Sequence, residues 1–266
     1  MYSDFHLHTR FSADSNEDPE STIQKAISLG MKEICFTDHN DFDWPVPDES
    51  FNLDVPSYME YMSRIKGHYE ASISVRTGIE CGITPANFKQ NNDLISTNAF
   101  DFVIGSCHIV DGMDPYYPEF FKNRTDFEAL SLYFNEIKAS LQSFNNFDVL
   151  GHMDYVIRYS PNGDRKYSLS DYTDVTDYIL KTIISLGKGI EINTSGLKSG
   201  LEYANPSLQI LKRYKELGGE IITIGSDAHK SDYVGYKFEQ AGDFLKTAGF
   251  SHYCVFKNRK PEFKPL

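Results

Sequence analysis

Short apolar runs alternate along the chain with longer segments whose apolar residues fall on one side of a helix. The runs are rich in β-branched and aromatic residues, which is typical of buried strands. They are Tyr2–Phe5, Glu33–Thr37, Ile73–Glu80, Phe100–Cys107, Phe147–Leu150, Ile190–Asn193, Ile221–Ile224 and Tyr253–Phe256. The pattern therefore predicts a chain of short strands joined by helices.

Helical periodicity occupies most of the segments between these strands. The predicted helices are Pro19–Leu29, a helix within the loop-and-helix segment Asp38–Ala71, Asp126–Phe144, Asp171–Leu186, Pro206–Leu217 and Glu239–Ala248. Ser57 and Glu60 have the spacing of a capping box. Regular alternation of strand and helix predicts a parallel sheet covered by helices. About seven such units favour a barrel over an open sheet, and we expect one domain over residues 1–266.

Composition and charge narrow the classes of protein that this chain can represent. The 266 residues are 40% hydrophobic and 24% charged, which excludes a disordered or low-complexity chain. No apolar run reaches the ~20 residues that cross a bilayer. The start, MYSDFHLHTR, lacks the pattern of a secretory signal, so we expect a cytoplasmic protein. A formal net charge of −12 argues against a groove for nucleic acid or a membrane surface.

The four cysteines contain no Cys-x-x-Cys pair. In a chain of this length we expect reduced, mostly buried thiols rather than a disulfide framework. They are Cys35, Cys81, Cys107 and Cys254. Cys81 and Cys107 adjoin Glu80 and His108, but neighbouring residues of a strand point to opposite sides. We therefore place both thiols in the core.

Histidines and acidic residues cluster after the predicted strands. In a parallel barrel, the carboxyl ends of the strands open on one face, and that face holds the active site. The candidate metal ligands there are His6, His8, Asp14, His39, Glu80, His108, His152, Asp227 and His229. In His6-Leu7-His8 the two imidazoles lie on the same side of an extended segment. Imidazole and carboxylate suit zinc, iron or manganese, and nine ligands exceed what one tetrahedral ion needs.

Each of these residues also has a structural interpretation when taken alone. A single His or Glu at a strand end usually makes a structural hydrogen bond, and the segments around Asp38 and Asp227 have the composition of helix caps. The joint pattern favours two or three divalent ions, because carboxylates crowded together without a cation repel each other. His68 and His252 follow no strand, and we interpret both as structural.

Six short segments together resemble the PHP (polymerase and histidinol phosphatase) superfamily. They are Asp4–His8 (DFHLH), Thr37–Asn40 (TDHN), Gly78–Glu80 (GIE), Gly105–His108 (GSCH), Gly151–Asp154 (GHMD) and Gly225–His229 (GSDAH). Three further segments resemble the monofunctional histidinol-phosphate phosphatase branch. They are Ile104–Asp114, Phe147–Tyr159 and Glu191–Leu197.

This resemblance implies a distorted (β/α)7 TIM-like barrel with three metal ions at the carboxyl ends of its strands. By resemblance, the first ion would be held by His6, His8, Glu80 and Asp227, with zinc as the expected metal. The second would be held by Glu80, His108 and His152, and the third by Asp14, His39 and His229. Some relatives carry His in place of Asp14, which is still a competent ligand. Glu80, Asp227 and His229 are the residues that we expect to be catalytic.

The resemblance also implies hydrolysis of a small phosphate monoester, most specifically of L-histidinol phosphate to L-histidinol and phosphate in histidine biosynthesis. A hydroxide bridging two metal ions would attack phosphorus, so no protein nucleophile is required. Arg158 and Lys198 are candidate phosphate ligands, and Tyr116 and Tyr117 could wall an imidazole pocket, as could Trp44 and Tyr155. Homo-oligomerisation stays open.

Other functions remain open at this point. A PHP-type nucleotide or 3′-end phosphodiesterase would share the site, although it would favour a basic groove. A non-catalytic metal-binding PHP module would usually have lost ligands. A metallo-amidohydrolase would normally use a carboxylated lysine as its metal bridge. The long loops Asn40–Pro56 and Ile109–Arg124 either form lids or simply cover the barrel end.

Overall fold

Eight strands form the main sheet, and a two-stranded hairpin stands apart from it. A computed structural model describes residues 2–163 and 167–266. Within these ranges the main strands are β1 (Asp4–Leu7), β2 (Glu33–Phe36), β3 (His39–Asn40), β4 (Ser74–Gly82), β5 (Phe102–Ser106), β6 (Val149–Leu150), β7 (Gly189–Asn193) and β8 (Ile222–Gly225). The hairpin consists of β9 (His252–Lys257) and β10 (Lys260–Pro265), which pair antiparallel.

Seven of these strands follow the order β1-β2-β4-β5-β6-β7-β8, and every neighbouring pair is parallel. The short β3 pairs with the end of β4. The backbone N–H of His8 donates to the carbonyl of Ala228 (3.0 Å), and that of Asp227 donates to the carbonyl of His6 (2.9 Å). These bonds join the start of the sheet to its end, so the strands form a nearly closed barrel. The predicted (β/α)7 TIM-like fold is confirmed.

Helices occupy the connections between the strands. They are α1 (Pro19–Ser28), α2 (Val55–Tyr69), α3 (Phe88–Thr97), α4 (Asp126–Ser143), α5 (Thr173–Ser185), α6 (Ser195–Lys198), α7 (Leu208–Glu216) and α8 (Phe238–Ala248). The side chain of Asp18 caps α1 by accepting from the N–H of Glu20, and Pro19 suits the first turn, where no N–H is needed. Ile23 and Ala26 on α1 are fully buried. The apolar side of α1 is thus packed into the core.

Several element boundaries differ from the sequence prediction. β1 begins at Asp4 rather than Tyr2, which places His6 inside the strand. The predicted capping box of Ser57 is wrong, because α2 already begins at Val55 and the side chain of Asp54 accepts from the N–H of Ser57. A complete capping box is instead formed by Thr125 and Glu128 before α4. Local spacing alone did not distinguish these two helix starts.

The four cysteines are free and buried, as predicted. Burial raises the pKa of the Cys81 thiol and of the Cys107 thiol, so neither is a ready thiolate at neutral pH. Among residues 2–163 and 167–266, no helix is both long enough and apolar enough to span a bilayer.

Candidate metal centre

Glu80 lies at the centre of a ring of imidazoles at the carboxyl ends of the strands. Its Oε2 atom is 3.0 Å from Nε2 of His6, 3.4 Å from Nε2 of His8 and 3.1 Å from Nδ1 of His39. Its side chain is fully buried. β4 extends two residues beyond Glu80, which fixes the carboxylate against the neighbouring strands. One oxygen of Glu80 thus faces three imidazoles.

The other oxygen of Glu80 faces a different pair of imidazoles. Oε1 lies 3.3 Å from Nε2 of His108 and 3.0 Å from Nε2 of His152, and it accepts a hydrogen bond from Ser106 Oγ (2.6 Å). The two oxygens therefore belong to separate groups of nitrogen atoms. A carboxylate in this position is suited to bridge two cations.

Asp227 joins the first of these groups from the end of β8. Its Oδ1 lies 3.3 Å from Nε2 of His8 and 3.8 Å from Nε2 of His6. The residue adopts φ = 55°, in the left-handed region that Asp tolerates better than most residues. This backbone turn directs the carboxylate toward the imidazoles rather than along the strand.

Asp14 forms the outer part of the cluster with two further histidines. Its Oδ2 lies 3.1 Å from Nε2 of His229 and 3.7 Å from Nε2 of His39. The rings of His8 and His229 are stacked with centroids 4.1 Å apart. Asp14 is exposed, whereas Glu80 is buried, so the cluster runs from the barrel interior to the surface.

All nine predicted ligands are thus brought to one face of the barrel, although they come from distant parts of the chain. The donor atoms of eight of them, all except Asp14, form four overlapping groups, and within each group every atom lies within 4.8 Å of the others. These are His8/His39/His229, His6/His8/Glu80, His6/His152/Asp227 and His39/Glu80/His108. Nε2 of His8 and Nδ1 of His39 are buried in this region without a hydrogen-bond partner. Buried nitrogen atoms facing carboxylates, with only imidazole and carboxylate donors, fit a divalent metal such as zinc.

The pKa shifts of Glu80 and Asp227 also indicate that positive charge stabilises these buried carboxylates. Burial alone would raise the pKa of Glu80, but His6, His39 and His108 hold it well below its ordinary value. Burial likewise opposes ionisation of Asp227, and His6, His8 and His229 still lower its pKa. The carboxylates therefore remain ionised inside the protein. A divalent cation would satisfy the same requirement more directly.

Three residues that were not predicted to belong to the site contact candidate histidine ligands. Each lies beside the second ring nitrogen of a different histidine. Ser12 Oγ lies 3.0 Å from Nδ1 of His8, and Asp41 Oδ1 lies 2.7 Å from Nδ1 of His108. Glu191 Oε1 lies 2.6 Å from Nδ1 of His6. Metal-binding histidines are commonly oriented by such partners. The only feature of the sequence that pointed to Asp41 was its position, as a polar residue shortly after a strand. That position did not reveal that its partner is His108.

Two glycines make room for these carboxylates. A Cβ atom at Gly82 would lie 1.9 Å from Oδ1 of Asp41, and one at Gly225 would lie 2.2 Å from Oε1 of Glu191. Neither glycine has a positive φ, so the close approach rather than the turn requires the missing side chain. Gly225 belongs to the segment GSDAH that resembles the PHP superfamily, whereas Gly82 lies just beyond the segment GIE.

A cleft of about 420 Å³ opens over the cluster. Its described lining residues are Asp14, His39, Asp41, Trp44, Glu49, Phe51, His108, Asp114, Tyr116, Tyr117, His152, Tyr155, Arg158, Tyr159, Asp227 and His229. The two long loops supply one wall, because residues 44–51 and 114–117 belong to them. Whether these loops move as lids stays a prediction.

Arg158 lines this cleft and packs against two aromatic rings. Its guanidinium carbon is 4.9 Å from the ring centroids of both Tyr155 and Tyr159. Nη1 donates to Ser195 Oγ (3.0 Å), and Nε is buried without a hydrogen-bond partner. Ser195 Oγ in turn lies 3.2 Å from Oδ2 of Asp227. A cationic donor is therefore fixed beside the candidate metal ligands.

The other predicted substrate-binding residues are placed differently. Tyr116 and Tyr117 line the cleft with ring centroids 5.2 Å apart, and Tyr116 packs edge-on against Tyr159. Lys198 is exposed, with its Nζ 4.0 Å from the ring centroid of Tyr233, and it is not among the described lining residues. A phosphate-binding role for Lys198 stays a prediction.

Comparison with known proteins places these features in context. The PHP domain family model matches residues 4–195. A histidinol-phosphatase of Lactococcus lactis is 33% identical over 261 residues, covering 97% of this chain and 95% of that protein. A probable histidinol-phosphatase of Clostridium acetobutylicum is 35% identical over 244 residues, with 91% of each chain covered.

A solved structure extends the likeness to three dimensions. The crystal structure of histidinol phosphate phosphatase from Lactococcus lactis, complexed with zinc, L-histidinol and phosphate, matches with a TM-score of 0.89. The two chains are 32% identical, and 98% of each is covered. The alignment therefore extends over nearly the whole chain, both long loops included.

Proposed function

Because the chain belongs to the PHP domain family, we propose that it is a metal-dependent phosphate monoester hydrolase that converts L-histidinol phosphate and water to L-histidinol and phosphate, a reaction of histidine biosynthesis. One observation carries this proposal. The two oxygens of Glu80 face separate groups of imidazoles, and the guanidinium of Arg158 lies in the cleft that opens over these groups. The relatives described above, which span nearly the whole chain, support the choice of substrate.

The metal complement that we propose is three divalent ions, with zinc as the expected metal. His6, His8, Glu80 and Asp227 would hold the first ion. Glu80, His108 and His152 would hold the second, and Asp14, His39 and His229 the third. Bound metal ions of this kind lower the pKa of a coordinated water and offset charge on phosphoryl oxygens.

The protein's own residues would bind and orient the phosphate. Arg158 carries a permanent charge and a planar set of donors, which suits phosphoryl oxygens. Contacts with the rings of Tyr155 and Tyr159 and with Ser195 restrict the guanidinium, so little freedom is lost when the substrate binds. Glu80, Asp227 and His229 would lie next to the reacting phosphoryl group, and the burial of Glu80 excludes bulk water from that side.

The wall formed by the two long loops suits a cationic leaving group. Its described lining residues include the carboxylates of Glu49 and Asp114 and the rings of Trp44, Phe51 and Tyr116, but no lysine or arginine. L-Histidinol carries an ammonium group and an imidazole ring. Carboxylates and aromatic faces both attract such groups. Burial raises the pKa of the Asp114 carboxyl, so its ionised form would gain from a cationic partner.

A phosphate-release screen tests the proposed substrate. Phosphate release is measured when the zinc-loaded protein is offered L-histidinol phosphate, sugar phosphates or nucleoside monophosphates. Release of p-nitrophenol from bis(p-nitrophenyl) phosphate, and of nucleoside monophosphates from an oligonucleotide with a 3′-hydroxyl end, is measured in parallel. We expect the highest kcat/KM with L-histidinol phosphate. Faster turnover of the diester or of the oligonucleotide would favour the phosphodiesterase alternative. No turnover of any substrate by metal-loaded protein would favour a non-catalytic module.

Replacement of Asp114 by Asn tests the role of the loop wall. We expect KM for L-histidinol phosphate to rise roughly tenfold, since a hydrogen bond between charged groups contributes about 1.5 kcal/mol. KM for phenyl phosphate, which lacks a cation, should not change. Asp111→Asn is the matched control, because Asp111 lies on the same loop, is exposed and is not among the described lining residues of the cleft. An equal rise for both substrates would contradict a charge-specific role.

A further inference from the structure

β7 differs from the other strands of the parallel series. Each of the others carries, or is closely followed by, a candidate metal ligand, whereas none of the nine lies on β7 or directly after it. Yet three buried polar residues, Glu191, Asn193 and Ser195, follow one another at every second position there. Buried polar side chains are costly unless they are hydrogen-bonded. Their contacts therefore indicate what this strand does.

Glu191 uses both of its oxygens. Oε1 lies 2.6 Å from Nδ1 of His6, and Oε2 accepts from the backbone N–H of His152 (3.0 Å). A carboxylate that accepts from Nδ1–H leaves Nε2 of His6 without a proton and free to bind a cation. The same carboxylate fixes the backbone that carries His152. One buried residue thus supports candidate ligands of two different metal positions.

Asn193 continues the contacts from Glu191 toward Asp227. Its Nδ2 donates to Oε2 of Glu191 (3.1 Å) and lies 3.5 Å from Oδ2 of Asp227. Its Oδ1 accepts from the N–H of Ser195 (2.9 Å) and lies 2.6 Å from Oγ of Ser195. The amide is therefore held at both ends.

Ser195 completes the series at Arg158. Its Oγ accepts from Nη1 of Arg158 (3.0 Å) and is within hydrogen-bond distance of both Asn193 Oδ1 and Asp227 Oδ2. A hydroxyl that accepts from a guanidinium still has its own proton to donate to one of these oxygens. The contacts therefore run without a break from His6 to Arg158.

We propose that Glu191, Asn193 and Ser195 form a positioning network that sets the orientation of His6 at the metal centre and of Arg158 at the phosphate. The part that concerns Arg158 rests on the proposed function. The part that concerns His6 does not, because it requires only that the cluster bind metal. β7 thereby fixes the distance between the cations and the guanidinium that would hold the same phosphoryl group.

Glu191→Gln tests the metal end of the network with almost no change in volume. If the Gln oxygen faces His6, its amide N–H2 opposes the N–H of His152. If the amide is reversed, it opposes Nδ1–H of His6 and favours the tautomer that protonates Nε2. We expect zinc affinity, measured by competition with a chromophoric chelator, to fall at least about tenfold. Glu60→Gln, an exposed change on α2, should leave it unaltered.

Thermal unfolding of the zinc-free proteins separates positioning from a general structural role. We expect zinc-free Glu191→Gln to unfold within a few degrees of the zinc-free wild type while zinc affinity falls. Unaltered zinc affinity in a folded Glu191→Gln protein would overturn the metal part of the proposal. The zinc measurement uses no substrate, so it stands even if L-histidinol phosphate is not hydrolysed.

Ser195→Ala tests the other end of the network and covers the case in which Glu191→Gln does not fold. We expect calorimetric affinity for inorganic phosphate to fall several-fold at full zinc content, because Arg158 loses the acceptor that orients it. Ser195→Thr, which keeps the hydroxyl, should bind phosphate like the wild type. Equal phosphate affinity in Ser195→Ala and the wild type would overturn the link to Arg158.

Discussion

Glu80→Gln is expected to reduce turnover of L-histidinol phosphate by roughly a thousandfold. The substitution keeps the shape of the side chain but removes the charge that faces five imidazoles from its two oxygens. A neutral amide is a poor bridge between cations, and its N–H2 would oppose any neighbouring imidazole nitrogen that carries a proton. Metal ions contribute several kcal/mol to phosphoryl transfer, and about 4 kcal/mol corresponds to the expected loss.

Elemental analysis of the same protein checks the cause of that loss. We expect more than one divalent ion per wild-type chain and fewer in Glu80→Gln, with the fold retained because Glu80 faces the site rather than the apolar core. Glu60→Gln should retain both metal and activity. A Glu80→Gln protein with full zinc content and normal turnover would contradict the bridging role.

Arg158→Ala is expected to lower kcat/KM about a hundredfold, chiefly through KM. Hydrogen bonds to charged groups contribute about 1.5–3 kcal/mol each, and the upper end of that range corresponds to the expected factor. The effect should be the same for L-histidinol phosphate and for phenyl phosphate, because the guanidinium would bind the phosphoryl group that both share. This pattern differs from the substrate-dependent effect expected for Asp114→Asn.

Arg158→Lys provides the matched comparison in steady-state assays with both substrates. Lysine keeps the charge, but it lacks the planar set of donors that the guanidinium holds beside Tyr155 and Tyr159. We therefore expect its KM to lie between those of the wild type and of Arg158→Ala. An unchanged KM in Arg158→Ala would remove this residue from the phosphate site.

The barrel and the cluster of nine residues were predictable from the sequence, because both follow from patterns that can be recognised along the chain itself. Alternating apolar strands and helices predict parallel pairing, and parallel pairing brings all strand ends to one face. A residue such as His152 or Asp227 could therefore be placed near His6 from its position after a strand alone. The grouping of ligands around three ions came from family resemblance, and the number of ions stays a prediction.

Side-chain partners were not predictable in the same way. Asp41 and Glu191 belong to the site because of their hydrogen bonds to His108 and His6. These bonds depend on the strand register and on how closely the two carboxylates approach Gly82 and Gly225. No spacing rule along the chain encodes such contacts. The short β3 and the helix α3 were missed because neither has a long apolar period. That residues 1–266 form one domain likewise stays a prediction.

The closure of the barrel between β1 and β8 has a consequence for the order of events during protein synthesis. His6 and His8 are synthesised well before Asp227 and His229, with which they share the cluster. Contacts between such distant segments form late in folding. A nascent chain therefore carries its first imidazoles before the last members of the cluster have been synthesised.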